Sequence, residues 1–403
     1  MSQLADVHQP AADFSRDEYD LRLANTRVRM EDAGLDALLV TDPANLYYLT
    51  GYNAWSFYMP QFLYVPLKGD LLLVMRAMDA HGAHHTTWLP GDQVAGYPES
   101  LVHRAEVHPM DWAATELRER GQAGRRMRVG YEAEAHFFSV RSFLTLQRRL
   151  PEWELVDSGE LVNWVRLVKS NAEIALMRTA AAVSSNAMAV GVEALRAGRR
   201  QSDVAAEIQA AQAAGIGDAE GDYPSIVPMM LAGEGADTPH LTWSRAPIVA
   251  GEAVSLELAG AHRRYHAPLA RTVSLGVPSA ELQRIAATTL DGFEAALELL
   301  RPGQTPEAAV AAWDAVLAKQ GLSKASRLGY SIGIGYPPDW GEHTVSIRSG
   351  EETVLAPNMT FHLIAGMWMT GFGFEVSESI RITETGVEIL TSAPRELIVK
   401  GDA

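Results

Sequence analysis

The chain has 403 residues, 47% hydrophobic and 21% charged, with a net charge of −16 and no cysteine. This excludes a disulfide scaffold, a thiolate nucleophile and cysteine-based metal sites, and it argues against nucleic acid or an anionic membrane as partner, because phosphate binding needs a basic face. No apolar run reaches the ~18 residues of a membrane helix, and MSQLADVHQPAADFSRDEYD has neither a basic n-region nor an apolar h-region, so a cytoplasmic chain of about two domains is expected.

Residues 1–17 read as an irregular arm, and Ser15 as the cap of a helix ending at Gly34. Leu35 to Val40 is an apolar strand turned by Asp42-Pro43. The span 42–61, DPANLYYLTGYNAWSFYMPQ, crowds aromatic rings between Gly51, Asn53 and Pro60. That pattern places Trp55, Phe57 and Tyr58 either in the core or on a loop that grips a small ligand. Leu71–Met75 is a second strand. HGAHH (81–85) has no metal-ligand spacing and reads as a solvated helix start. Helical periodicity over 110–120 and 139–150, with a strand at 127–130 between, suggests a small α/β domain over 1–160.

The domain over 161–403 opens on a connector, a long Ala-rich helix (172–197) and a second helix (201–214). Gly215–Gly221 lacks phosphate-loop spacing. Tyr223–Met230 is β-like, and His240 follows a loop with Gly233, Gly235 and Pro239. In GEAVSLELAGAHRRYHAPLARTVSL (251–275), Val254, Leu256 and Leu258 alternate with Ser255, Glu257 and Ala259, the period of a strand. Gly260 and Arg263-Arg264 mark a hairpin turn, with His262 and His266 expected at the surface and the two arginines as turn charges. Two helices follow (278–300, 306–320), then a glycine- and proline-rich loop (329–342), then strands at 359–365, 374–383 and 387–390.

Glu257 stands out, because a carboxylate inside an apolar strand is costly to bury unless it is paired, bound to metal or chemically employed. His240, Glu375 and Glu378 also sit on or beside apolar β runs. Strand alternation puts Glu375 and Glu378 on opposite faces.

The order of these elements, the hairpin ending in Arg271-Thr272 and the final ITETG (382–386) resemble the pita-bread superfamily of creatinase, prolidase and methionine aminopeptidase. DPANLYYLTGY resembles its smaller creatinase-type N-terminal domain. Within the superfamily, GYNAWSFYMPQ, GDYPSIVP, PHLTW, ELAGAHRRYHAPLARTV, GYPPDWGEHTVSIRSG and FEVSESIRITETG resemble the ectoine hydrolases. The resemblance implies an α+β protein: a small creatinase-type α/β domain followed by a pita-bread catalytic domain.

Superfamily metallopeptidases hold two divalent metals with Asp, Asp, His, Glu and Glu. The matching positions here are Glu257, Pro268, near Ile332, near Ile364, and at or beside Ser377-Glu378. Apolar side chains at three of these imply a site with no metal and no cofactor. The resemblance implies ectoine, or a similar amidine, as substrate, with Glu257 as nucleophile and His240 as proton shuttle. Glu375 or Glu378 would hold an amidinium N–H. Trp55, Phe57, Tyr58, Tyr336 and Trp340 would wall the cation. It also implies a homodimer. The alternatives are a creatinase-like hydrolase of another amidine or guanidine, and a metal-dependent aminopeptidase or prolidase.

Overall fold

The computed structural model describes residues 13–401, so most of the arm expected over 1–17 lies outside the described residues. The fold is α+β, in two compact units, 1–166 and 167–403.

The N-terminal unit begins with α1 (Arg16–Asp32), capped by Ser15 as expected. It continues through β1 (Ala37–Val40), α2 (Pro43–Thr50), β2 (Phe62–Pro66), β3 (Leu72–Arg76), α3 (Ala77–Thr86), β4 (Val94–Tyr97), α4 (Pro109–Glu119), β5 (Met127–Tyr131), α5 (Val140–Arg149), β6 (Trp153–Asp157) and α6 (Leu161–Val165). The strands form one mixed sheet in the order β4-β3-β2-β1-β5-β6. Leu39, Tyr64, Val74, Met110, Leu117 and Trp153 pack into its core. The Asp42-Pro43 turn is in fact a helix start. Asp42 caps α2 by accepting from the Ala44 and Asn45 amides, and Gly51 ends the helix at φ 77°. HGAHH lies within α3 rather than at its start.

One buried carboxylate anchors this unit. Glu132 accepts from the Thr41 amide at 2.6 Å, the Asp42 amide at 2.7 Å and Asn45 Nδ2 at 2.7 Å. Burial, then the nearby Asp42 charge, pushes it up to about 8 despite these donors.

The C-terminal unit begins with α7 (Asn171–Ala194), closed at its start by a Ser170–Glu173 capping box, and α8 (Gln201–Ala214). Then come β7 (Met229–Ala232), β8 (Ala253–His262), β9 (Tyr265–Leu275), α9 (Ala280–Leu297), α10 (Pro306–Lys319), β10 (Gly329–Tyr336), β11 (Asp339–Ile347), β12 (Thr360–Met369), β13 (Phe372–Ile382), β14 (Val387–Ile389) and β15 (Ile398–Lys400). The sheet runs β14-β13-β12-β10-β9-β8-β7, with β11 on β10 and β15 parallel to β9.

The β8–β9 hairpin turns tightly at Arg263 and Arg264, both at positive φ (49° and 62°), as a two-residue turn requires. Gly260 is not part of the turn. It lies within β8, where a β-carbon would collide with the Ala180 and Ser184 backbone of α7, and its amide donates to Ser184 Oγ at 2.6 Å. The alternation read from the sequence sorts the two faces. Leu256, Leu258, Leu269 and Val273 pack with Met188 and Ile208 in the core beneath α7 and α8. Glu257 and Ser255 point to the opposite face.

The span 329–342, expected as a loop, is instead the hairpin β10–β11. Its glycines mark close approaches rather than turns. A β-carbon on Gly335 would strike Ser225 and His266, and one on Gly333 would strike Glu342, which forms a buried ion pair with Lys169 at 2.6 Å.

Two expectations about the first hairpin are also corrected. His266 is buried, accepting from the Ser225 amide at 2.9 Å through Nε2, and burial followed by the Arg264 charge drives it down to about 3. His262 is nearly buried, its Nδ1 2.8 Å from the Glu220 carbonyl oxygen. Arg264 is no surface turn charge. Its guanidinium lies over the Tyr223 and Tyr336 rings at 3.9 and 4.5 Å and donates to the Tyr223 and Gly335 carbonyls. The turn tip is covered by the strand after it, which the local sequence does not display.

Candidate active site

Four strands bring chemically active side chains to the face that Glu257 occupies. β8 supplies Glu257, paired in register with Met229 and Ala270. β13 supplies Glu375, whose main chain is held by Thr272: the Glu375 amide donates to Thr272 Oγ1 at 2.8 Å, and Thr272 Oγ1 lies 2.9 Å from the Glu375 carbonyl. β10 supplies Tyr330 and β12 supplies His362.

Glu257 is buried and has no hydrogen-bond partner among the described residues. Both carboxylate oxygens of Glu375 are fully buried and unpartnered. Burial first, then the charge of Glu375 and that of Asp339, pushes Glu257 well above the usual carboxylate range. Burial pushes Glu375 up to about 7, although Lys324 pulls in the other direction. Two such groups cannot both ionise at ordinary cost, so each disfavours the charged form of the other.

Cationic groups lie beside the pair. Lys324 donates to Ser326 Oγ at 2.6 Å and the Arg327 carbonyl at 2.9 Å, and sits 5.5 Å from the Trp368 ring. Burial lowers Lys324 to about 8 against the pull of Glu375. Arg327 lies over the Tyr330 ring at 4.4 Å and donates to Ser346.

A hydrogen-bonded row runs behind the carboxylates. The Ala270 amide donates to Ser377 Oγ at 2.6 Å, Ser377 Oγ lies 2.7 Å from His362 Nε2, and His362 Nδ1 lies 3.0 Å from the Tyr330 hydroxyl. Trp340 Nε1 donates to the same hydroxyl at 2.8 Å. His362 is driven down to about 3 by burial and by Arg327, so it is neutral at neutral pH.

The expected site residues divide sharply. Glu257 and Glu375 come together, and Trp340 joins through Tyr330. Tyr336 is buried against Arg264 instead of facing the carboxylates. Glu378, on the other face of β13, is an ion-pair partner rather than a free carboxylate: it accepts from Arg271 at 2.5 Å and from Thr391, with Arg395 4.0 Å away. His240 is exposed on a bend at φ 70° and makes no hydrogen bond to a described residue, Glu257 included. In the N-terminal unit, Trp55 and Tyr58 are 56% and 59% exposed, whereas Phe57 is buried between Trp55 and Phe137, with ring centroids 5.1 Å from each.

Sequence reading missed Tyr330, His362 and Lys324. His362 carried the same signal as Glu257, a titratable group inside an apolar strand (TFHLIA). Tyr330 was hidden by assigning its strand to a loop.

The positions that match a two-metal centre do not suit one. Pro268, in register with Ala259, lies on the Glu257 face of the hairpin and has no ligand atom. Ile332 and Ile364 are hydrocarbon. Alternation along β13 puts Ser377, not Glu378, on the Glu375 face, opposite Ile364. Among the described residues no group of three or more His, Asp or Glu is arranged to hold a metal ion. Two divalent cations need more oxygen and nitrogen donors than this face offers.

Comparison with known proteins is consistent along the whole chain. Residues 175–387 match the metallopeptidase family M24, and residues 22–168 match the creatinase/prolidase N-terminal domain. The ectoine hydrolase of Halomonas elongata is 41% identical over 399 residues, 97% of this chain and 100% of that protein. An uncharacterized hydrolase/peptidase of Sinorhizobium fredii is 40% identical, covering 96% of this chain and 98% of its own length. Among solved structures, a prolidase from Thermococcus sibiricus superposes with a TM-score of 0.83 at 21% identity, over 95% of this chain and 99% of that one. A Mycobacterium ulcerans dipeptidase does so at 0.78 and 24%, over 96% and 99%. At those identities the structures establish the fold, the pita-bread architecture behind a creatinase-type domain.

Proposed function

The chain belongs to metallopeptidase family M24, as a pita-bread hydrolase with a creatinase-type N-terminal domain, and from that footing we propose that it opens the ring of ectoine without a metal. The observation that carries this reading is the buried pair Glu257 and Glu375, which has no hydrogen-bond donor among the described residues. Ectoine is a cyclic amidine with a ring carboxylate. Its amidinium is a delocalised cation with N–H donors on both nitrogens, and it supplies both the positive charge and the donors that the pair lacks.

In this reading Glu375 holds an amidinium N–H and Glu257 attacks the carbon between the two nitrogens. A C–O bond forms and the C=N electron pair moves onto nitrogen. The ring C–N bond then breaks, its electron pair leaving with the nitrogen, which takes up a proton. Water adds to the same carbon and the Glu257 carboxylate departs, leaving N-acetyl-2,4-diaminobutyrate. Lys324 and Arg327 supply the charge to receive the substrate carboxylate. The protein acts in the cytoplasm as a homodimer, with the exposed Trp55 and Tyr58 available to wall a cation.

Incubation with ectoine, followed by proton NMR, tests the reaction. Loss of the ring signals with appearance of one acetamide methyl is expected, and an unchanged ectoine spectrum overturns the substrate. Light scattering that gives a fully active monomer overturns the dimer.

A further inference from the structure

Ring opening needs a proton on the departing nitrogen, and the hydrogen-bond row behind the carboxylates says where it originates. Trp340 Nε1 has only a proton to give, so the Tyr330 oxygen accepts there. The Ala270 amide likewise fixes Ser377 Oγ as an acceptor. The remaining hydroxyl proton of Ser377 is fully buried and has one acceptor within reach, His362 Nε2 at 2.7 Å. With Nε2 accepting, neutral His362 carries its proton on Nδ1 and donates it to Tyr330 at 3.0 Å. The Tyr330 oxygen then accepts from both Trp340 and His362, and its own proton must point elsewhere. The opposite arrangement leaves the Ser377 proton buried without an acceptor, which costs the desolvation of an unsatisfied polar group. Tyr330 keeps some solvent exposure, desolvation first and the negative charge of Glu257 second hold its hydroxyl well above the ordinary range, and no acceptor among the described residues takes its proton.

Resting on the amidine-hydrolase reading above, we infer that Tyr330 is a further catalytic residue. Its hydroxyl proton is aimed into the Glu257–Glu375 pocket by Trp340 and His362, and it protonates the ring nitrogen as the C–N bond breaks. Two donors remain on the oxygen to stabilise the phenolate. The phenolate then takes a proton from the water that adds to the Glu257-bound carbon, which restores the tyrosine before the carboxylate leaves. Formation of the Glu257 adduct removes that residue's negative charge, and with it the repulsion that opposes a phenolate here. His362 and Ser377 are positioning residues that fix the direction of the row.

Two measurements on the full-length protein test this. Long-range nitrogen–proton NMR of ligand-free protein, with the His362 signals identified by their absence in His362→Gln, should show Nδ1-protonated His362. An Nε2-protonated ring overturns the inference whatever the substrate. In Tyr330→Phe, kcat on ectoine should fall about 10²-fold or more, the range of a general acid. Ectoine affinity by calorimetry and the melting temperature should stay near those of the parent. A kcat within about threefold of the parent, which a purely structural tyrosine allows, overturns the assignment while the parent's own turnover upholds the amidine reading. A parent protein that does not turn over ectoine overturns both.

Discussion

The N-terminal unit buries Glu132 fully satisfied, whereas the C-terminal unit buries, beside satisfied glutamates such as Glu342 and Glu378, a pair that is not. In the N-terminal unit Glu132 receives three donors within 2.7 Å and ties the ends of β1 and α2 together. In the C-terminal unit Glu257 and Glu375 receive none from the described residues. β13 repeats the contrast within one strand, since Glu378 is neutralised by Arg271 and Thr391 while Glu375, three residues earlier, is bare. Burial and a raised titration point do not separate structural from reactive carboxylates, because Glu132 and Glu375 both titrate near or above neutrality. The donor count separates them. A carboxylate satisfied by its own protein holds the fold, and one left unsatisfied is complete only with a ligand.

The comparison is broken most directly at Glu257. Glu257→Gln keeps shape and removes the proposed nucleophile, so turnover of ectoine should fall ~10³-fold or more while the melting temperature holds or rises. Intact-protein mass spectrometry under turnover should show any substrate adduct as added mass, and peptide mapping should place it on the peptide that contains Glu257. Near-normal activity in the variant would make Glu257 structural and erase the distinction.

At Glu378 the expected loss is in stability. Glu378→Ala strands the buried Arg271 guanidinium, so urea unfolding should show a loss of ~3–5 kcal/mol. A change below ~1 kcal/mol would mean that the satisfied carboxylates do not hold the fold.

pH sharpens the difference further. The Glu375 carboxyl is raised from 4.5 to about 7, so the folded protein binds its proton more tightly than the unfolded chain does. Its contribution to stability is complete below about 4.5 and is lost as pH climbs through about 7. Thermal unfolding of the parent against Glu375→Gln cancels the similar contribution of Glu132, and the difference should shift in favour of the variant across that window. A difference independent of pH would show that Glu375 is not raised. The smallest expected effect is none: activity should survive exhaustive chelation, and loss that zinc or manganese restores would overturn the metal-free reading.

Much of the fold was legible, for a physical reason. The β8 alternation and the Ser15 cap of α1 are local, and local signals survive translation into structure. Glu257 was visible because a charge in an apolar strand has no cheap structural explanation. The glycines of 329–335 were read as turn formers, yet they answer to His266, far along the chain, and to Glu342 on the facing strand β11. His266 and Arg264 were placed outside because a turn is usually wet, and nothing nearby announces that β10 covers it. The separation of Glu375 from Glu378 was readable as parity. Which of the two faces was already neutralised depended on Arg271, a hundred residues away.

Pro268 bears on how such a protein could change. A lineage moving between this chemistry and a dinuclear metal centre has to alter Pro268, Ile332, Ile364 and Ser377 as well as Glu257, and the intermediate steps are not neutral. Each carboxylate added before the metal is held places another like charge beside Glu257 and Glu375, at several kcal/mol against a total stability of ~5–15 kcal/mol. If the chemistry here is metal-free as proposed, a stepwise path between the two therefore runs through destabilised intermediates, and compensating changes have to accompany it.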